Sequence, residues 1–331
     1  MTTESSRNVD PVRFDGQAAI VTGGGGGIGR AIADELASRG ASVLVNDFGG
    51  DTRGAGGSPT RAEQAVKEIR AAGGRAEADA TPVGTPAAAR AIVSHALDAF
   101  GRLDILVNNA GIAQPGLFTA ASDEELELGL RTNLLGPYAL MRAAWDGMRR
   151  QRYGRILNVS SNAALGIGRN AMYATSKAGL LGLTLDAAAE GQAEGILVNA
   201  MMPAAYSRMI EGIPDPAFVA WFRQNLPAAK VAASLAYFLS RESQVTGRIF
   251  SIGGGRLARV VFAENDGVLD ARDAETTRAL QGVALDGSRV RTLESSADEL
   301  GLYTAAFPFE GHGGVPALDL DTVANSNRPA S

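Results

Sequence analysis

The sequence predicts a single α/β domain, a doubly wound parallel sheet with helices on both faces, followed by a C-terminal extension. Three observations carry that expectation. Short apolar runs alternate with helix-length segments from about residue 17 to residue 252, the pattern of strands buried on both faces. A run of glycines follows directly on the first apolar run and opens a helix. The chain has 331 residues, 45% hydrophobic and 20% charged, enough to bury one large core.

In order, Ala18 to Val21 is the first buried strand and Ile28 to Arg39 the helix behind it. Ala41 to Asn46 gives the second strand and Arg61 to Ala72 its helix. A short third strand near Ala76 leads to a helix from about Pro86 to Phe100. Leu103 to Asn108 is the fourth strand, and one long helix spans about Glu124 to Arg150. Strand Arg155 to Val159, helix Ala171 to Ala189, and strands Ile196 to Met201 and Arg248 to Ile252 complete the set. No unit recurs at a fixed period, which argues against a solenoid. Two stretches break the rhythm. One is the Gly-rich insertion Phe48 to Pro59. The other is the chain beyond Gly255, expected as an extension packed on the same core, with a disordered tail after about Asp319 as the alternative. The expected organisation is thus a flexible 1–14, a domain over 15–255 with a substrate loop at about 204–227, and an extension over 256–331.

Composition narrows the function classes. A net charge of -5 does not suggest a nucleic-acid-binding surface. The absence of cysteine removes disulfides, thiolate metal sites and cysteine nucleophiles together, and the only histidines, His95 and His312, exclude a multi-histidine metal site. His95 lies in a predicted helix and reads as a packed or surface residue; His312, in Gly311-His-Gly-Gly314, is given no role. Met1 to Pro11 is polar, with no secretory signal pattern, and no run approaches the ~18 apolar residues of a membrane span. The ending Arg328-Pro-Ala-Ser331 is not of the Ser-Lys-Leu type, so the expected location is cytoplasmic.

The first strand runs into Thr22-Gly-Gly-Gly-Gly-Gly-Ile-Gly29. Glycines there let backbone approach a pyrophosphate, whose charge then sits at the helix N-terminus, so Gly23, Gly27, Ile28 and Gly29 are candidate cofactor residues. A flexible linker is not expected between a buried strand and an amphipathic helix. Asp47 ends the second strand, eighteen residues after Gly29, close to the roughly 20 typical of the acidic residue that binds an adenosine ribose. Its carboxylate would accept from both ribose hydroxyls and repel a 2′-phosphate. No arginine occupies Gly24 to Gly26 to offset it, so NAD is expected in preference to NADP, with nearby Arg53 counting the other way. Asp79, after the third strand, is either an acceptor for the adenine amino group or a solvated turn aspartate. Asn109, Ala110 and Gly111 close the fourth strand, where small residues would line the cofactor cleft.

The chemistry resides in Ser160, Tyr173 and Lys177. Residues four apart share a helix face, which brings the Lys177 ammonium near the Tyr173 phenol. A positive neighbour favours the phenolate, and lowering a tyrosine pKa by about three units takes roughly 4 kcal/mol. Such a phenol could exchange a proton near neutral pH. Alone, the pair would read as an ordinary exposed Tyr/Lys pair; the other motifs make it a site.

Together these motifs resemble the short-chain dehydrogenase/reductase family over roughly residues 15–255: Thr22 to Gly29, Asn108 to Gly111, Ser160, and Tyr173 to Lys177 stand in its order and spacing. The resemblance implies a Rossmann fold and hydride transfer between a secondary alcohol and a nicotinamide. It makes Tyr173 the acid/base, has Ser160 hydrogen-bond the substrate oxygen, and has Lys177 tune Tyr173 and bind the nicotinamide ribose. It matches Asn133, in Arg131-Thr-Asn-Leu134, with the asparagine that anchors a proton-relay water. It also implies a homodimer or homotetramer. The family's Pro-Gly after the sixth strand is Pro203-Ala204 here, beside the expected nicotinamide.

A narrower similarity is to the (3R)-hydroxyacyl-CoA dehydrogenase domains of the peroxisomal multifunctional enzyme type 2 group. It rests on Val45-Asn-Asp-Phe-Gly-Gly-Asp51, Ser207-Arg-Met209 and Phe250-Ser-Ile-Gly-Gly-Gly255. The expected enzyme is a stand-alone NAD-dependent dehydrogenase of a 3-hydroxyacyl-CoA or similar bulky hydrophobic alcohol. Alternatives are a 17β-hydroxysteroid or other cyclic or aromatic-catabolite alcohol and, in a different class, a non-catalytic cofactor-binding scaffold or redox sensor. Ile210, Ile213, Phe218, Trp221 and Phe222 make either a lid over an apolar substrate or plain core. Arg208 and Arg256 are either contacts for CoA phosphates or surface arginines.

Overall fold

The computed structural model describes residues 10–269 and 271–306, which fall into two compact units dividing after Val260. The first unit is built on eight strands: β1 (Ala18–Thr22), β2 (Ser42–Asn46), β3 (Arg75–Asp79), β4 (Ile105–Asn108), β5 (Gly154–Val159), β6 (Ile196–Pro203), β7 (Ile249–Gly253) and β8 (Arg256–Val260). They lie in the order β3-β2-β1-β4-β5-β6-β7-β8. Every pair through β7 is parallel, and β8 runs antiparallel to β7. This is the predicted Rossmann-like sheet.

The period-two alternation of strand side chains assigns the two faces. Ala19, Val21, Val43, Val45, Ile105, Val107 and Leu157 pack on one side with α1 (Gly27–Ser38), α2 (Thr60–Ala71) and α9 (Ala228–Leu239). Ile20, Leu44, Leu106 and Ile156 pack on the other with α3 (Pro86–Phe100), α5 (Gly136–Gln151) and α6 (Ala171–Gly191). Strands covered on both faces are largely apolar, and β1, β4 and β5 are buried along their whole length, with their polar members Thr22, Asn108, Arg155 and Asn158 hydrogen-bonded inside. Strand order reverses between β1 and β4, and a crevice opens there at the carboxyl ends of the strands.

The structure departs from the predicted elements in three places. The long helix expected from Glu124 is interrupted: α4 (Asp123–Leu130) and α5 are joined by a π-helical turn over Arg131–Leu135. Pro137 has no N–H to donate to the Asn133 carbonyl, so α-helical bonding lapses at that point. Helix α9 was not expected, although Val231, Ala232, Leu235, Ala236 and Leu239 form its buried face. Strand β8 was not expected either. Gly254 (φ +60°) and Gly255 (φ +93°) make a two-residue turn with both φ values positive, and Arg256 pairs with Gly253, so Arg256 to Val260 belongs to the sheet.

The second unit starts at Val261. Its β9 (Phe262–Asn265) and β10 (Val290–Leu293) pair antiparallel, and its helices are α10 (Ala274–Ala284) and α11 (Ser296–Ala306). Asp273 and Thr276 form a capping box at the start of α10. Gly311 to Gly314, with His312, lies outside the described residues. Among the described residues no helix is long and apolar enough to cross a membrane.

Candidate active site

The glycine loop is fixed by the end of β4. Buried Thr22 donates its hydroxyl to Val107 O (3.2 Å) and accepts from the backbone N–H of Asn109 and of Ala110, both at 3.0 Å. Asn109 returns its amide to Thr22 O (2.9 Å) and Gly23 O (3.2 Å), so it works as a strut between β1 and β4. A Cβ on Gly23, which has φ +64°, would lie 2.8 Å from that amide nitrogen. Gly29 packs against Gly23 O and has no room for a side chain. Gly26 caps α1 without any side-chain bond and faces open space, so the first-turn N–H groups look into the crevice. Close packing beneath and free donors above make a cradle fit for a pyrophosphate.

Asp47 is buried beside this loop. One carboxylate oxygen accepts from Gly25 N (3.0 Å) and the other from Gly49 N (2.8 Å). Asp47 lines a cavity of about 150 Å³ with Phe48, Pro82 and Val83, a shape and chemistry fit for adenosine. Arg53 turns instead to Glu125, 3.9 Å away. Two other cations approach this end. Arg61, in the first turn of α2, donates to Gly50 O (2.9 Å) and sits 3.8 Å from Asp47. Arg208, in the short helix α7 (Arg208–Glu211), donates to the same carbonyl at 3.3 Å.

Asp79 does not join them. One of its oxygens accepts from Asn46 Nδ2 (2.7 Å) and Thr81 N (2.9 Å), and the other contacts His95 Nδ1 (2.9 Å). Burial pushes its carboxyl up, but the bonds from His95, Asn46 and Thr81 prevail and hold it below the usual range. Asp79 is therefore not a solvated turn residue: it is buried and ties β2 to α3.

At the other end, a cavity of about 430 Å³ runs from the glycine loop to Ser160, Tyr173, Lys177 and Pro203. Ser160 follows β5, and its hydroxyl donates to Lys177 O (2.6 Å), which leaves its lone pairs to accept from a ligand. Lys177 is buried on α6, four residues from Tyr173 and on the same face. Its Nζ donates to Val159 O (2.7 Å) and lies 5.6 Å from the centre of the Tyr173 ring. Burial pushes this ammonium down to about 8. Burial also pushes the Tyr173 phenol up, against a smaller downward effect of the Ser161 hydroxyl. That is opposite to the expected direction, because loss of hydration disfavours the phenolate while Lys177 is directed to a backbone carbonyl.

Asn133, in the π turn, is fully buried. Its amide donates to Ile112 O (2.8 Å) and Ser176 Oγ (3.2 Å) and accepts from Ile112 N (2.8 Å). Its side chain therefore clamps the segment after β4 to α6. A Cβ on Gly111 would lie 3.3 Å from both Asn133 Oδ1 and Lys177 Nζ, which explains the glycine. The 204–227 loop carries α7 and α8 (Pro216–Asn225), the latter capped by Asp215. Phe218, Trp221 and Phe222 form one aromatic cluster, and Phe218 and Trp221 are 42% and 50% exposed. Such exposure is not core packing. Met209 Sδ, 3.9 Å from the Tyr173 hydroxyl, joins the cavity wall. Arg256 lies on β8 and donates to Ser251 Oγ (3.2 Å).

Residues 17–211 match the short chain dehydrogenase family. The chain belongs to that family. It is an oxidoreductase acting on CH–OH groups, of a family that generally binds NAD(P). It is 40% identical over 260 residues to the peroxisomal multifunctional enzyme type 2 of Mus musculus, covering 78% of this chain and 34% of that enzyme. It is 35% identical over 248 residues to the 3-oxoacyl-[acyl-carrier-protein] reductase of Staphylococcus aureus, covering 72% of this chain and 97% of the reductase. Among solved structures, a short chain dehydrogenase from Mycobacterium avium superposes with a TM-score of 0.71 at 35% identity, covering 83% of this chain and 96% of that one. The chain thus spans only part of the multifunctional relatives it matches, from 29% of the length of the Neurospora crassa protein and 34% of the mouse one to 57% of the Dictyostelium discoideum one.

Sequence reasoning missed Thr22 as the knot between β1 and β4, Met209 in the cavity wall, and Arg61 at Asp47. Only Thr22 carried a usable signal, a hydroxyl at the buried end of the first strand.

Proposed function

We propose that this short-chain dehydrogenase interconverts a 3-hydroxyacyl thioester and its 3-oxo form with NAD, using Tyr173 as the proton-exchanging group. The observation that carries this reading is the convergence of Ser160, Tyr173 and Lys177 with the glycine loop on one cavity. A bound dinucleotide supplies the hydride acceptor or donor; the proton chemistry belongs to the chain. In oxidation the Tyr173 oxygen takes the alcohol proton while the Ser160 hydroxyl, turned from Lys177 O, donates to the substrate oxygen and so orients it. Lys177, pushed down to about 8 by burial, holds or yields a proton behind the phenol. Asn133 fixes the distance between Lys177's helix and the β4 end. Asp47 receives the adenosine ribose, which supports NAD. Pro203 borders the nicotinamide end.

The thioester class is supported by the named activity of the reductase relative, whose substrate is a 3-oxoacyl thioester, and by the exposed apolar lid. A homodimer or homotetramer belongs to this reading, with exposed Leu135 and Tyr138 offering apolar surface. The test is NADH formation from (3R)- and (3S)-hydroxyacyl-CoA and from 17β-estradiol. Turnover of the (3R) thioester with the (3S) isomer inert is expected. Turnover of the steroid alone contradicts the thioester assignment and makes the lid a steroid-binding element.

A further inference from the structure

The chain has no cysteine and seven methionines, so its oxidisable sulfur is all thioether. Met141, Met148, Met172, Met201 and Met202 are buried in the first unit, none of them more than 6% exposed. Met209 is different. It stands on α7 in the wall of the active-site cavity and is 37% exposed, the one exposed methionine among the described residues. Oxidation needs access to the sulfur, so a small oxidant in solution meets Met209 first.

The same sulfur is placed against the reacting group. The Tyr173 hydroxyl donates to Met209 Sδ across 3.9 Å. A thioether is a weak acceptor, and at that distance it holds the phenol proton loosely. It has two lone pairs, so one can face the phenol while the other reacts. Attack of a sulfur lone pair on hydrogen peroxide forms an S–O bond and breaks the O–O bond. Sulfur is oxidised by two electrons, and the second peroxide oxygen leaves with both protons as water. The sulfoxide oxygen is a stronger acceptor than the thioether it replaces. Bonded to the phenol, it favours the protonated form, the direction in which burial already pushes Tyr173. It also puts a polar group into a wall shared with Ile210, Ile213 and Phe218, where an apolar substrate would lie.

We propose that Met209 is a redox modification site: peroxide converts its thioether to the sulfoxide, which arrests proton exchange at Tyr173 until the sulfoxide is reduced. The proposal rests on Tyr173 as the proton-exchanging group and adds a reversible control at that site. Reduction takes two electrons from a pair of thiols, releases the oxygen as water, and needs one sulfoxide reductase for each epimer. Burial of the other described methionines keeps the core packed while this one sulfur changes state, since a sulfoxide inside would disrupt it.

The full chain, treated with graded hydrogen peroxide, is followed on the same samples by peptide mass, by turnover, and by NADH binding through nucleotide fluorescence. Met209 is expected to gain its oxygen at least about tenfold faster than Met141, Met148, Met172, Met201 or Met202. Turnover should fall at least about tenfold in step with Met209 oxidation, while NADH affinity changes less than about threefold. Sulfoxide reductases of both epimer specificities, with dithiothreitol, should restore the rate. Met209→Leu, which fills a similar volume without an oxidisable sulfur, should keep its own starting rate under the same peroxide. Turnover that falls with Met209 unmodified, or that survives its full oxidation, overturns the proposal. So does a Met209→Leu variant inactivated as fast as the unaltered protein. These results leave the assignment of Tyr173 standing; that assignment fails separately, if Tyr173→Phe keeps its turnover.

Discussion

The two ends of the cleft hold their polar groups in different ways. At the β5–α6 end, Ser160, Lys177 and Asn133 are each bonded to main chain, at Lys177 O, Val159 O and the Ile112 peptide groups. At the β2–α2 end, Asp47 accepts from loop amides while Arg61 and Arg208 share one loop carbonyl and balance the carboxylate by charge. Backbone partners fixed by a sheet and a helix give a rigid geometry, suited to placing a proton donor within hydrogen-bond reach. Loop partners and partly exposed charges give an adjustable and salt-sensitive one, suited to choosing between related cofactors.

Breaking the rigid end should have the largest effect. Lys177→Met is expected to lower turnover about 10²- to 10⁴-fold, the usual range for a group in proton transfer, as measured by steady-state rates with the preferred substrate. The same variant sharpens the pH side of the comparison. Lys177 titrates near 8 in the fold against 10.5 as a free side chain, so between those values the unfolded chain binds more protons and folding stability rises with pH. Denaturant titrations across that window should show the rise in the unaltered protein and a smaller one in Lys177→Met.

Asn133→Ala comes next. It leaves the Ile112 N–H and C=O without their buried partner, while the Ser176 hydroxyl keeps its bond to Tyr173 O, and should cost about 1–3 kcal/mol of stability per unsatisfied group, read by urea unfolding. At the adjustable end, Asp47→Ala should weaken NADH about tenfold and shift the NADPH/NADH affinity ratio toward NADPH; an unchanged ratio would remove Asp47 from the ribose. Trp221→Ala, at a half-exposed position of the lid, should raise KM for long apolar substrates several-fold and change stability by under about 0.5 kcal/mol.

What was legible in the sequence follows the same division. The strands of the sheet were legible because burial on both faces demands an unbroken apolar run, as in Ile105 to Val107. Tyr173 and Lys177 were legible because four-residue spacing on a helix fixes a shared face. The π turn was overlooked although Pro137 announced it, and β8 although Gly254-Gly255 stood between two strand-like runs. The buried face of α9 carries a helical period in Val231, Ala232, Leu235, Ala236 and Leu239. The burial of Asp79 was not legible because the partner that draws it inward, His95, comes from a different element. For Tyr173, sequence spacing gives the distance to Lys177 but not the depth of burial, which pushes the phenol up. Arg61 lay out of reach, since its approach to Gly25 depends on the path of the Phe48 to Pro59 insertion.

The most direct test of the central assignment is turnover and NADH binding measured side by side in Tyr173→Phe. Removing one hydroxyl from a residue on α6 leaves the glycine loop and Asp47 untouched, so NADH should bind within about threefold of the unaltered protein while turnover falls by at least about 10²-fold. Turnover that survives with binding intact would show that the proton moves through another group, and the proposed mechanism would be wrong.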